Sequence, residues 1–262
     1  MAKFEAESYS RFRILYPEVV FEGLKSVCAA TGGERLRVLD LGAGTGFSSL
    51  SFLRFFPETD LVLVEPDASM LEASREVLAD HGGHCEWIHS RAENFTVSKP
   101  VDIILVGSAW HWMNPEQTLQ SILSSLRPGG AILVFEYQFP KAKEETALNE
   151  WVRRSFNLKW KPGTQKPRGT LVEITQTIRD HAGLSEVSRR ELTKQEVLSA
   201  EDFFGVIVSQ SRFLDYERTL NPSEKNENRA ELLRELGDFW KEKQGISFEY
   251  SFQSIVFFRR WV

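Results

Sequence analysis

Short apolar runs alternate with longer segments of mixed polarity along the first 140 residues. The apolar runs have the length of strands and are Arg37–Leu41, Asp60–Val64, Cys85–His89, Asp102–Val106 and Ala131–Tyr137. The helices predicted between them are Phe47–Phe55, Ser69–Leu78 and Glu116–Leu126. Alternation of this kind is typical of parallel strands joined by crossover helices. The pattern therefore predicts an α/β fold, a doubly wound sheet that binds its ligand at the carboxyl ends of the strands.

The pattern changes beyond residue 140. Two long and partly helical insertions, about 141–183 and about 199–243, flank a predicted strand near Ser185–Leu192. A further strand is predicted over Ser247–Arg259. Residues 160–169 contain two prolines and two glycines without any periodicity, which predicts a loop.

Three glycines at alternate positions follow the first predicted strand. Residues 38–46 have the sequence VLDLGAGTG, with the glycines at Gly42, Gly44 and Gly46. A strand that turns sharply into a helix needs backbone without a Cβ atom, both for unusual dihedral angles and for close approach of a ligand. Glu65 ends the second strand, where an acid can accept hydrogen bonds from both hydroxyls of a ribose. Together these features predict a nucleoside-binding domain.

The spacing of the glycines limits which nucleoside is bound. A dinucleotide fingerprint, G-x-G-x-x-G, would place its third glycine at position 47, which is Phe47. No lysine follows the glycines, so a P-loop that cradles phosphates is excluded. The predicted ligand therefore contains a nucleoside but no pyrophosphate.

Composition and charge restrict the class of protein further. The net charge is −5 and no long run of lysines and arginines is present, which argues against a nucleic-acid partner. The longest apolar stretches, such as Ile103–Val106 and Ala131–Phe135, are far shorter than a membrane span, so no membrane partner is expected. Acidic residues stand near Met1 where a secretory signal would need an apolar run. Cys28 and Cys85 form no CxxC pair, so we expect no metal and reduced thiols in a cytoplasmic protein.

The motifs resemble those of class I S-adenosylmethionine-dependent methyltransferases. The first motif of that family has the form D-x-G-x-G-x-G, which here is Asp40 to Gly46. Further matches follow in the family's order over roughly residues 36–140, namely Glu65 to Leu71, Ala92 to Phe95, Asp102, and Arg127 to Gly130. The chain is most similar to small-molecule members of the family, which include the trans-aconitate methyltransferases.

The resemblance implies a fold, a cofactor and a reaction. The expected fold is a doubly wound, Rossmann-like sheet of seven strands, mostly parallel with an antiparallel last strand, together with a helical lid. It divides the chain into an N-terminal helical cover over 1–33, a donor-binding core over 34–140, a lid over 141–246 and a final strand over 247–262. S-adenosylmethionine would transfer its methyl group in line to a small molecule and leave S-adenosylhomocysteine. We expect a monomer or a homodimer.

Site residues are carried over from the family by position. The expected donor-binding residues are Tyr9, Arg13, Asp40, Gly42, Ala43, Gly44, Gly46, Glu65, Pro66, Met70, Ala92, Glu93, Ser108 and Trp110. Glu65 would bind the ribose, and Glu93 would accept from the adenine amino group or simply cap a turn. Tyr9 and Arg13 belong to a stretch similar to the family's Tyr-x-x-x-Arg-Pro-x-Tyr-Pro element, although Ile14 replaces the first proline. They would close over the methionine end of the donor, or else cover the sheet as part of a helix.

His111 is the candidate for a catalytic base. It lies in Gly107 to Asn114, where related enzymes bring donor and acceptor together. Members that methylate DNA bases or glutamine carry an Asn/Asp-Pro-Pro-aromatic tetrad there, and Ser-Ala-Trp-His in this chain disfavours that chemistry. An imidazole with a pKa of about 6.5 can accept a proton near neutral pH. The structural alternative is that His111 packs between Trp110 and Trp112.

The acceptor is less well defined by the sequence. Arginines of the predicted lid that could hold a carboxylate are Arg153, Arg154, Arg168 and Arg212, and aromatic residues that could line an apolar pocket are Trp160, Phe203, Phe204 and Phe213. Each has an alternative as a surface charge or a core residue. A small organic acid is the leading acceptor. Two other functions stay open, a binding module without turnover and a nicotinamide-dependent oxidoreductase, which the displaced third glycine disfavours.

Overall fold

The computed structural model describes Phe12 and residues 14–29, 35–160, 169–241 and 243–260 of the chain. Its strands form one eight-stranded sheet. They are β1 Leu36–Leu41, β2 Thr59–Glu65, β3 Cys85–His89, β4 Val101–Gly107, β5 Leu126–Tyr137, β6 Lys141–Ala142, β7 Leu184–Leu198 and β8 Ile246–Arg259. The order across the sheet is β3-β2-β1-β4-β5-β8-β6, and β7 also pairs with β8.

The direction of the strands follows the prediction. β1 to β5 pair in parallel, whereas β8 is antiparallel to β5, β6 and β7. The doubly wound sheet of seven longer strands, mostly parallel with an antiparallel last strand, is therefore confirmed. The two-residue strand β6 is an addition that the sequence did not predict.

β7 is the strand whose length differs most from the prediction. It pairs with β8 from Leu184 to Leu198, six residues beyond the predicted end at Leu192. The extra residues are mostly polar, and Val197 is largely exposed. An edge strand with polar side chains lacks the apolar signal that identifies a buried strand, so its length is set by the partner strand.

The described α-helices precede β1, connect the strands and fill the segment beyond β6. They are α1 Lys25–Ala29, α2 Phe47–Leu53, α3 Ala68–Val77, α4 Pro115–Ser125, α5 Thr146–Arg154, α6 Leu171–Ile174, α7 Gln176–Asp180, α8 Ala200–Val208, α9 Ser211–Glu217 and α10 Pro222–Phe239. Side-chain caps explain where several of them begin. Asp67 accepts from the backbone N–H groups of Ser69 and Met70 at the start of α3, and Asn114 accepts from Gln117 at the start of α4.

Alternate residues of the central strands point to opposite faces of the sheet. On β4, Ile103 and Leu105 join one apolar cluster, while Ile104 and Val106 join the other. Both faces are therefore covered, as the near-continuous apolar character of a parallel strand requires. The first cluster includes buried residues of α8 and α10, and the second includes those of α4.

Aromatic residues of the helical segment pack into the core. The Trp160 ring lies edge-on to Phe213 with centroids 5.0 Å apart, and Phe203 stacks on Phe248 at 4.4 Å. Trp160, Phe203 and Phe213 are fully buried. The hypothesis that these three line an acceptor pocket is therefore wrong, because Trp160 and Phe213 pack within the helical segment and Phe203 packs against β8.

Candidate active site

A cleft of about 970 Å³ opens at the carboxyl ends of the parallel strands. The loops after β1, β2, β3 and β4 form one side of it, which we call the glycine-loop side. Its lining includes Gly42, Ala43, Gly44, Glu65, Pro66, Met70, Ala92, Glu93, Ser108 and His111, all of them expected site residues. The crossover connections bring these separate stretches to one edge of the sheet.

The three glycines of the first loop have positive φ angles, +73° at Gly42, +56° at Gly44 and +83° at Gly46. A Cβ atom on Gly42 would lie 2.6 Å from the Cβ of Ala109, so the chain is tightly packed there. A Cβ atom on Gly44 would meet nothing within 4 Å, because that position faces the open cleft. Glycine at position 42 therefore allows close packing against Ala109, whereas glycine at position 44 leaves the cleft open to a ligand.

The carboxylate of Glu65 is buried and fixed by the backbone. One oxygen, Oε2, accepts from Gly44 N–H at 2.9 Å, and the other, Oε1, accepts from Asp67 N–H at 3.0 Å. Burial raises the pKa of Glu65, and these two hydrogen bonds oppose the rise. Each oxygen has a second lone pair, so the carboxylate can accept hydrogen bonds from two adjacent hydroxyls in the cleft. This is the geometry that a ribose requires.

Asp40, Gly46 and Trp110 lie outside the cleft lining, contrary to the expectation from the resemblance. Asp40 is fully buried, and burial raises its pKa while it accepts from the hydroxyls of Ser48 and Ser49 at the start of α2. Trp110 is buried in the second apolar cluster, where its indole N–H donates to the carbonyl of Ile174. The side chains of Asp40 and Trp110 are therefore fixed by contacts within the protein.

Ser108 is held in an unusual conformation at the end of β4. Its φ is +53°, its N–H donates to Phe135 O at 2.7 Å, and its hydroxyl lies 2.9 Å from the hydroxyl of Tyr16. Tyr16 also lines the cleft, and it was not predicted as a site residue. The signal was available in the Tyr-Pro pair that ends the N-terminal motif. Tyr9 and Arg13 of that motif lie outside the described residues.

Glu93 and His111 also line the cleft. Glu93 Oε1 accepts from the N–H of Asn114 at 2.8 Å, which ties the loop after β3 to the start of α4. The His111 ring centroid is 4.9 Å from that of Trp112, whose side chain is 61% exposed. Because Trp110 is turned into the core, His111 does not lie between two tryptophan rings.

The other side of the cleft, which we call the β5 side, was largely missed by sequence reasoning. Its described lining residues come from the end of β5, the α9 region and β8, and they are Glu136, Tyr137, Gln138, Phe139, Gln210, Leu214, Asp215, Arg218 and Gln253. Arg153, Arg154 and Arg212 are not among the residues that line the cleft, and Arg168 lies outside the described residues. The Arg212 guanidinium instead donates to Phe156 O at 3.3 Å.

No group of three or more His, Cys, Asp or Glu side chains in the described part of the chain is placed to hold a metal ion. None of the described helices has the length and apolar character that crossing a membrane requires.

Residues 38–130 match the family model described as a methyltransferase domain. An uncharacterized methyltransferase of Mycobacterium bovis is 30% identical over 177 residues, 66% of this chain and 65% of that protein. A tRNA 5-carboxymethoxyuridine methyltransferase of Escherichia coli is 28% identical over 45% of this chain and 47% of its own length. A trans-aconitate 2-methyltransferase of Azoarcus sp. is 30% identical over 41% of this chain and 40% of its own length. The match thus spans less than two thirds of these relatives.

Solved structures agree on the fold. A protein described as a type II methyltransferase, from Anaeromyxobacter dehalogenans, superposes with a TM-score of 0.65 at 18% identity over 93% of this chain and 97% of its own. The YcgJ protein of Bacillus subtilis gives 0.52 at 17% identity over 92% of this chain and 98% of its own.

The sheet, the glycine loop and the acid at the end of β2 define a nucleoside-binding α/β protein. The match of residues 38–130 to the methyltransferase domain model, together with the methyltransferase relatives, supports a class I S-adenosylmethionine-dependent methyltransferase. The family resemblance of the sequence motifs is confirmed, and the nicotinamide alternative is set aside.

Proposed function

We propose that this chain transfers the methyl group of S-adenosylmethionine to a small-molecule acceptor. The observation that carries the proposal is the Glu65 carboxylate, which two backbone N–H groups hold beside the open position at Gly44. A ribose bound there would place the rest of the donor along the glycine loop. The volume of about 970 Å³ leaves room for an acceptor next to it.

The residues present fit the donor. Glu65 would accept from the ribose hydroxyls, Met70 and Ala92 line the cleft where the adenine would lie, and Ser108 borders the position of the methionine part. When bound, S-adenosylmethionine supplies a methyl group on a positively charged sulfur, which is already a strong electrophile. The protein's task is to hold the acceptor in line with the C–S bond and to keep water out.

His111 is proposed as the group that accepts or relays the acceptor's proton, because it lines the cleft in the loop after β4. We predict that His111→Ala lowers the rate of methyl transfer at least tenfold and leaves the affinity for S-adenosylhomocysteine within about twofold, since the donor is held elsewhere. Turnover and calorimetric affinity of the two proteins provide the comparison. Equal turnover of the native protein and His111→Ala would contradict a catalytic role and indicate that His111 serves packing.

A carboxylate acceptor is the second candidate. Arg218 lines the β5 side of the cleft, and a trans-aconitate 2-methyltransferase is among the relatives. A guanidinium can bind a carboxylate through paired hydrogen bonds. The opposing observation is that Arg218 already forms an ion pair with Asp215 at 2.7 Å.

The size class of the acceptor can be tested directly. The protein is incubated with S-adenosylmethionine carrying tritium in the methyl group, together with either a metabolite extract or total tRNA. We expect label in the small-molecule fraction, and at least tenfold less label with Glu65→Ala at the same donor concentration, held below the donor Kd. Label in tRNA would instead support a nucleic-acid acceptor, and donor binding without label in either mixture would indicate a binding module.

A further inference from the structure

Two glutamines on the β5 side of the cleft are held through their side-chain amides. Gln210 stands between α8 and α9, where its Nε2 donates to Val206 O at 3.0 Å and its backbone N–H donates to Ile207 O at 3.0 Å. Gln253 lies on β8, and its Nε2 donates at 3.3 Å to Oε1 of Glu191, its cross-strand neighbour on β7. Both glutamines line the cleft. Each amide therefore has a preferred orientation at the cleft wall.

These hydrogen bonds determine which polar groups of the two glutamines a ligand can use. A carboxamide has two N–H donors and one carbonyl oxygen with two lone pairs. In Gln210 and in Gln253 one N–H is bound to the protein, and neither carbonyl oxygen takes part in a hydrogen bond within the described part of the chain. Turning either amide over would break its bond to the protein. Each glutamine therefore has a carbonyl oxygen and one N–H left for a ligand.

Apolar side chains stand beside these amides. Phe139 and Leu214 line the same side of the cleft, and Leu214 lies one helical turn after Gln210. The Phe139 ring is itself fixed, because it packs edge-on against Phe156 with centroids 5.2 Å apart. In an apolar site with a few placed polar groups, those polar groups provide the specificity. The two amides are therefore placed to select the acceptor.

A hydroxyl group matches such amides better than an ionised group does. A hydroxyl donates to a carbonyl oxygen and accepts from an N–H, whereas a carboxylate at neutral pH can only accept and an ammonium can only donate. A bound carboxylate would leave the two carbonyl oxygens without a donor. Sites that hydrogen-bond a hydroxyl strongly reject analogues that cannot make the same bonds, because their polar groups are then left unpaired.

Resting on the proposed methyltransferase function, we propose that the acceptor is a neutral small molecule that carries hydroxyl groups, and that Gln210 and Gln253 select it by hydrogen-bonding those hydroxyls. One glutamine stands at the start of α9 and the other on β8. Contacts to both elements fix the orientation of the bound molecule, which methyl transfer in line requires.

The class of the acceptor can be determined before the acceptor is identified. A metabolite extract is separated by ion exchange into anionic, cationic and neutral pools, and each pool is incubated with the protein and S-adenosylmethionine that carries tritium in its methyl group. We expect label from the neutral pool, in a product that keeps the label in mild base. A methyl ester would release labelled methanol under these conditions. A base-labile product, or no label from the neutral pool, would overturn the proposal.

Gln210→Met and Gln253→Met remove the amides at nearly the same side-chain length. Each should lower the initial rate of labelling from the neutral pool at least tenfold, while the affinity for S-adenosylhomocysteine stays within about twofold. The two variants alter different elements, so a local change of structure does not explain a loss in both. Unchanged rates in both variants would overturn the role of the glutamines.

Gln195→Met is the matched control, because Gln195 lies on β7 and does not belong to the cleft lining. It should label the neutral pool at the native rate, and a tenfold loss in this control as well would overturn the specific role of the cleft amides. If S-adenosylhomocysteine does not bind the native protein at all, the proposed methyltransferase function itself fails, which is a separate result.

Discussion

Glu65 owes its orientation to two backbone N–H groups, from Gly44 and Asp67, one on each oxygen. Replacing it with alanine removes the acceptors for both ribose hydroxyls. We predict that Glu65→Ala weakens the binding of S-adenosylhomocysteine by about 1.5–3 kcal/mol, the range for hydrogen bonds to a charged group. Calorimetric titration of the two proteins gives the difference. An unchanged affinity would exclude the assignment of Glu65 to the ribose.

The pKa of Glu65 gives that prediction a pH dependence. Burial raises this pKa above the ordinary value of 4.5. Hydrogen bonds from hydroxyls favour the ionised carboxylate, so affinity is fully present above the raised pKa and is lost as the pH falls through it. In Glu65→Gln this loss should be absent. The amide also turns its N–H₂ toward one of the two backbone N–H groups, which weakens binding at every pH.

Replacing Gly44 with alanine affects both the stability of the fold and the access of a ligand to the cleft, and the two effects can be measured separately. Alanine at its φ of +56° costs about 1–2 kcal/mol of unfolding free energy. The added methyl group would stand in the cleft, so we predict a loss of S-adenosylhomocysteine affinity of more than tenfold. Gly82→Ala is the control, because a Cβ there meets nothing within 4 Å and Gly82 is not part of the cleft lining. Native-like affinity in Gly44→Ala would contradict the proposed donor position.

Helix α8 packs closely against Phe12 because residue 205 is a glycine. A Cβ atom on Gly205 would lie 2.1 Å from Cγ of Phe12, so the Phe12 ring rests directly on the helix. We predict that Gly205→Ala lowers the unfolding free energy by about 1–3 kcal/mol through overpacking. Gly237→Ala in α10, where nothing lies within 4 Å, should raise it by about 0.5–1 kcal/mol.

Urea unfolding of the two variants compares these effects. An unfolding free energy of Gly205→Ala equal to that of the native protein would contradict the contact with Phe12. Adding Phe12→Ala should relieve much of the strain in Gly205→Ala, because the clash needs both side chains.

The elements of the core were predictable because β1 and β4 are buried on both faces and read as apolar runs. The glycine loop and Glu65 were predictable because they stand at the ends of such strands. The sequence analysis placed Trp110, Trp160 and Phe203 beside a binding site, whereas they lie in the core. An aromatic residue beside a pocket and one inside a core have the same local sequence pattern. Glu136 and Gln253 were missed because only the pairing of β5 with β8 brings them together.

At the scale of the whole molecule, the sheet of the described residues has eight strands with an apolar cluster on each face. One side of the cleft is built by the glycine loop, and the other by β5, α9 and β8. The central claim is that this cleft binds an adenosyl donor. Calorimetric titration of the native protein with S-adenosylhomocysteine, with NAD in a parallel titration, tests it most directly. We predict micromolar binding of S-adenosylhomocysteine alone, with about 2.7 kcal/mol of stabilisation at a hundredfold excess over the Kd. Failure to bind S-adenosylhomocysteine, or equal binding of NAD, would contradict it.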